Sequence, residues 1–128
     1  MAMKRFEFKK AYEEIEVVGE VYRISLNDDD RKNYSDHLIG FYESLDKAQK
    51  VDPKTITRDD SLKLEEEIKQ STLKTLDIFF GEGSGEKLYE ASGRQTDELF
   101  DFIYEVAEMI QARRQEKANR YLKKKKGK

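Results

Sequence analysis

The chain has 128 residues and a mass of 15.1 kDa, one domain's worth of polypeptide with room for a single core. Hydrophobic residues make up 37% and charged residues 41%, so that core is lean and takes its bulk from seven Phe and seven Tyr. The net charge of -2 hides a split, with nine Lys or Arg against Glu116 alone from Arg113 to Lys128, or +8, and -10 before it.

In chain order, Phe6 and Phe8 alternate with Glu7 and Lys9, which fits a short extended stretch and a third strand. Tyr12 to Leu26 reads as a β-hairpin. A two-residue loop at Gly19-Glu20, with Gly first as a type II′ turn prefers, sets Val17 against Tyr22, Ile15 against Ile24 and Glu16 against Arg23. Asn27 to Asp30 then supplies caps for a helix. Tyr34, Leu38, Phe41, Leu45 and Ala48 recur at spacings of 4, 3, 4 and 3, one helical stripe from about Asp29 to Gln49. Asp52-Pro53 breaks it, because the proline ring disfavours helical geometry in the residue before it.

A second helix opens between Thr57 and Ser61, with Leu64, Ile68, Thr72, Thr75, Leu76 and Phe79 along its stripe and Leu62, Leu73 and Phe80 flanking. Gly81 stops it. Ser84 is placed to cap a short helix from Glu86 to Ser92, closed by Gly93. Thr96 or Asp97 starts a last helix carrying Leu99, Phe100, Ile103, Val106, Ala107 and Ile110, whose stripe fades after Arg113. The expected fold is α+β: an N-terminal hairpin packed with three main helices, one domain over residues 1–122, then a basic tail over 123–128.

Candidate chemistry is scarce. The stretch from Gly81 to Lys87 is GxGxG rather than GxGxxG, lacks the Gly-Lys-Ser/Thr of a P-loop, and carries two glutamates that repel phosphate. Asp28, Asp29 and Asp30 are consecutive, whereas calcium loops alternate their acids. His37 is the sole histidine and there is no cysteine, which removes disulfides, thiol chemistry and the usual zinc sets. No catalytic set, metal site or cofactor is expected, and the chain reads as non-enzymatic. No apolar run exceeds a few residues and the opening MAMKRFEFKK has no apolar stretch behind its charges, so neither membrane span nor secretory signal is expected. A reducing, cytoplasmic home follows.

Two surfaces remain. Phe79-Phe80 and Phe100-Phe102 put rings on more than one helix face, so one face is offered to a partner unless the hairpin and short helix cover both. Arg120, Lys123, Lys124, Lys125 and Lys126 form either a solvated helix end or a weak, nonspecific polyanion site.

The order of segments resembles a known family. Val17, Gly19 and Tyr22 in the hairpin, and Phe80, Gly81, Gly83, Glu86, Lys87, Leu88 and Tyr89 in the turn after the second helix, are similar to patterns in the tail assembly chaperones of long-tailed bacteriophages and prophages. The resemblance spans most of the chain. It implies a small protein of the bacterial cytoplasm that binds the tape measure protein during tail assembly, with the tail tube protein as a second candidate partner. It carries over no catalytic residues; Phe79, Phe80, Phe100 and Phe102 are expected as the docking rings because the chain has more rings than one helix stripe can bury. It also implies a longer frameshifted product in many members, for which the lysine run would offer an A-rich slip site. The alternative is a small nucleic-acid-associated regulatory protein acting through the basic C-terminus.

Overall fold

The computed structural model describes residues 3–126, with an α+β arrangement of β1 (Tyr12–Val17), β2 (Glu20–Ser25), α1 (Asp28–Gln49), α2 (Arg58–Phe80), α3 (Ser84–Ala91) and α4 (Thr96–Lys126). The two strands form one antiparallel ribbon. Its loop is Val18-Gly19, both at positive φ (48° and 79°), the signature of a type I′ turn. The expected Gly19-Glu20 loop is therefore one residue too late. Ile15 faces Tyr22, Val17 faces Glu20, and Glu14 rather than Glu16 faces Arg23. A one-residue move of the turn shifts each pairing by two, so the side-chain faces survive the error. Glu20 joins the strand because its carboxylate has partners there: the Tyr22 hydroxyl at 2.8 Å and Lys87 Nζ at 3.1 Å. Residues 3–10 add no third strand. Leu26 N–H reaches the Ala11 carbonyl at 2.8 Å, but no sheet edge receives the alternating stretch before it.

Helix starts are set by side chains. Asn27 Oδ1 accepts from Asp30 N–H at 2.8 Å, and Thr57 Oγ1 accepts from Asp60 N–H at 3.1 Å, so Asn27 rather than the aspartates caps α1. The Asp28–Asp30 carboxylates then lie in the first turn, where the helix dipole favours them. Ser84 is not the cap of α3. It is buried inside the first turn, and Gly83 holds the cap position with a left-handed backbone. Asp77, from α2, supplies the missing acceptor: its Oδ1 takes Gly85 N–H at 2.7 Å.

The core gathers on α2, which touches α1, α3, α4 and β2. Tyr22 and Ile24 line the inner face of β2, with Leu26 just beyond it; Leu73, Leu76 and Phe79 come from α2; Leu88, Leu99, Ile103 and Val106 close the far side. Thr72 and Thr75 are buried without penalty, because each hydroxyl donates back one turn, to the Ile68 carbonyl at 2.7 Å and the Ser71 carbonyl at 2.8 Å. The Gly81-to-Ser84 turn brings α3 back so tightly that Gly85 rests on the α2 backbone. A Cβ there would overlap the Leu73 carbonyl oxygen and lie 2.9 Å from its carbon.

Two stability predictions follow from this backbone. In an ordinary helix Gly→Ala stabilises by about 1 kcal/mol. Gly85→Ala instead destabilises by about 1–3 kcal/mol, since Leu73 presents rigid backbone rather than a side chain that can move; a denaturant titration showing unchanged or higher stability would remove the crossing. Val18 is 80% exposed and holds a left-handed conformation that a β-branched residue resists. Val18→Asn, a natural type I′ residue, raises stability by about 1 kcal/mol, read as a higher melting temperature.

Candidate interaction surface

Of the four rings expected to face a partner, Phe79 is drawn inward, while Phe80, Phe100 and Phe102 are half-buried and pair with rings of neighbouring elements. Phe79 is 2% exposed, sits edge-on to Tyr34 at 5.2 Å, and belongs to the core. Phe80 stacks on Phe102 at 5.8 Å across α2 and α4, and Tyr22 of the hairpin meets its edge at 5.8 Å. Phe100 packs edge-on to Phe41 of α1 at 5.8 Å. Neighbouring rings do occupy different helix faces, but α1 covers one of those faces and the hairpin with α4 covers the other. Such pairs contribute about 0.5–1.5 kcal/mol each beyond their burial. They clamp the layers together.

The open apolar surface lies between α1 and α4. A groove of about 390 Å³ runs between them, walled by Leu38, Ile39 and Tyr42 on one side and Tyr104, Ala107 and Ile110 on the other. Ile39 and Tyr104 are each 56% exposed. Burial, then the neighbouring Tyr104 and Glu108, push the Tyr42 hydroxyl above the ordinary tyrosine range, which places those three groups around one space. At the floor, burial and the Asp30 carboxylate push Tyr34 up to about 12, against the opposing effect of a backbone hydrogen bond with Ser25. Sequence periodicity put Leu38 and Ile110 on core stripes; it could not reveal that the two stripes diverge and leave a gap.

The remaining candidates bear out little chemistry. The glycine-rich turn is backbone geometry in service of the α2–α3 crossing. Lys87 turns to Glu20, whose carboxyl is held below its usual range first by the Tyr22 hydroxyl and then by Lys87. Tyr22 is pushed up in turn, chiefly by burial. His37 is partly buried, Glu65, Glu66 and Glu67 are exposed, and among the described residues no three His, Cys, Asp or Glu converge as a metal site. Arg120 is exposed on α4, while the side chains of Lys123, Lys124, Lys125 and Lys126 lie outside the described residues. No described helix is long and apolar enough to cross a membrane.

Comparison with protein-family models, curated proteins and solved structures finds no match to this chain.

Tyr34 makes the groove floor sensitive to alkali. Its ionised form is disfavoured by folding, so its contribution is intact below about pH 10, the unfolded value, and is lost as pH rises toward 12. Tyr34→Phe has no such proton to lose. Stability measured from pH 9 to 12 should fall less steeply for that variant, and parallel curves would refute the assignment.

Proposed function

We propose that this protein is a tail assembly chaperone of a long-tailed bacteriophage or prophage, a non-enzymatic protein that holds apolar helical segments of the tape measure protein. The α1–α4 groove carries the reading. Apolar residues of two long helices face each other across an unsealed seam, a shape suited to a helix that presents residues at i, i+3, i+4 and i+7. Its tyrosines offer both ring surface and hydroxyl, which suits a surface that binds and releases. Glu108 and Gln111 at the α4 edge keep the seam wetted when empty. A tape measure protein is long, helical and apolar, and needs such cover until tube subunits enclose it. The similarity of the hairpin and of the turn around Gly81 to that family points the same way, and the bacterial cytoplasm is where this work is done.

The docking surface proposed here is the groove rather than the Phe79, Phe80, Phe100 and Phe102 set, because Phe79 is buried and the other three, though half-exposed, are already paired with neighbouring rings. The reading predicts that co-expression raises the soluble fraction of the tape measure protein encoded nearby. Ile39→Asp with Tyr104→Asp returns it to the level seen without the chaperone, while circular dichroism stays that of the parent, since both side chains are more than half exposed. A folded double variant that still solubilises the partner would sink this surface. A gene neighbourhood without a tail tube gene and a very long coiled-coil gene would sink the function itself.

A further inference from the structure

The fold brings the basic segment before β1 against the start of the basic stretch of α4. Residues 1–10 hold four cations against Glu7, and 113–128 hold nine against Glu116, leaving twelve cations and 25 acids, or -13, on residues 11–112. Arg113 makes the junction: its Nη2 donates to the Lys10 carbonyl at 2.6 Å and its Nη1 to Glu13 Oε1 at 3.5 Å, across about a hundred residues of sequence. The seam holds a cavity of about 330 Å³ in which Lys9, Arg31, Arg113, Arg114 and Lys117 meet, with Asp28 as the one carboxylate in the lining. The Nε of Arg31 is buried without a hydrogen-bond partner among the described residues. Phe8 stands at the rim, 88% exposed, with Phe6, 79% exposed, against its edge at 5.1 Å. Arg113, Lys117 and Arg120 continue the charge along one side of α4 over about 10 Å.

We propose that this junction binds single-stranded nucleic acid, with Lys9, Arg31, Arg114 and Lys117 on the phosphates and Phe6 and Phe8 as stacking platforms for bases. Arg113 is the positioning residue that holds the arm in place. A concave cationic seam with free rings at its rim is the combination that grips a single strand without reading its sequence. An anionic membrane would call for a flat cationic face, and these cations surround a hollow instead. The site stands apart from the α1–α4 groove except at Arg31, which borders both. It does not depend on the chaperone reading.

The test uses the full chain and a fluorescein-labelled oligothymidylate of about twenty nucleotides, a length that exceeds one site, read by anisotropy across a salt series. Arg114→Gln with Lys117→Gln should weaken binding and reduce the slope of log affinity against log salt by about 1.4, two phosphate contacts' worth. Phe6→Ala with Phe8→Ala should weaken it at least about fivefold with the slope unchanged. Deleting residues 123–128 should leave the response to the Phe substitutions intact. The proposal is overturned if the Phe variant binds like the parent, or if that deletion alone abolishes binding, which would move the site to the terminal lysines. Sedimentation with phosphatidylserine-containing vesicles in the absence of oligonucleotide binding would assign the patch to lipid and overturn it as well.

Discussion

Everything in this fold is arranged around the place where α3 crosses α2 with no side chain between them. Gly85 meets the Leu73 carbonyl, and Asp77, one turn further along α2, accepts the Gly85 N–H that the helix start would otherwise leave bare. Close approach and hydrogen bond act together, because the 2.7 Å bond is reachable only if no Cβ holds the helices apart. The crossing directs α3 so that Leu88 and Tyr89 fall into the core and Lys87 reaches back to the hairpin at Glu20. It also fixes where α4 begins, and so which rings of α4 meet Phe80 and Phe41.

From that crossing the aromatic residues take their roles. A chain with so lean a hydrophobic content needs large side chains to fill its interior, and the rings do this in edge and stacked pairs between layers. Tyr34, Phe79, Phe80, Phe102 and Tyr22 form a connected series running from α1 through α2 to α4 and β2. Among the apolar residues left outside are Ile39 and Tyr104 along the α1–α4 seam and Phe6 and Phe8 on the N-terminal arm. An unsealed seam and an uncovered arm have different surroundings, one flanked by Glu108 and Gln111 and the other by cations. The two surfaces are correspondingly different in chemistry.

Charge is segregated as clearly as apolar surface. The -13 of residues 11–112 is spread over the sheet ribbon and the helix exteriors, where most carboxylates are solvated and single ion pairs such as Asp46–Lys50 add little. The cations of the two ends would repel each other if left free. Arg113 offsets this by giving its guanidinium to a carbonyl and a carboxylate at the end of β1. One molecule thus presents an acidic body and a cationic pole, a distribution that steers polyanions to one end.

Local chemistry in the sequence was enough for the α+β class, the helix limits and most of the core. Caps, stripes and Pro53 act within a few residues, so the Asn27–Asp30 start, Thr57, Asp52-Pro53 and Gly81 could be read directly, though not which side chain of the first caps α1. The hairpin faces were legible for the same reason, while its turn was not: a type I′ turn needs positive φ at both central residues, here Val18 and Gly19, and a type II′ turn only at the first, and Glu20 was decided by Lys87, 67 residues away. Packing across elements settled the rest. Adjacent rings at 79 and 80 point apart in any helix, but whether solvent or another layer lies on each side depends on where α1, the hairpin and α4 come to rest. Gly85 looks like one more turn glycine until α2 lies against it. The meeting of Lys9 and Lys10 with Arg113, Arg114 and Lys117 joins segments a hundred residues apart, and no pattern within either segment encodes the other, because the contact exists only once α4 has been laid back along the start of the chain.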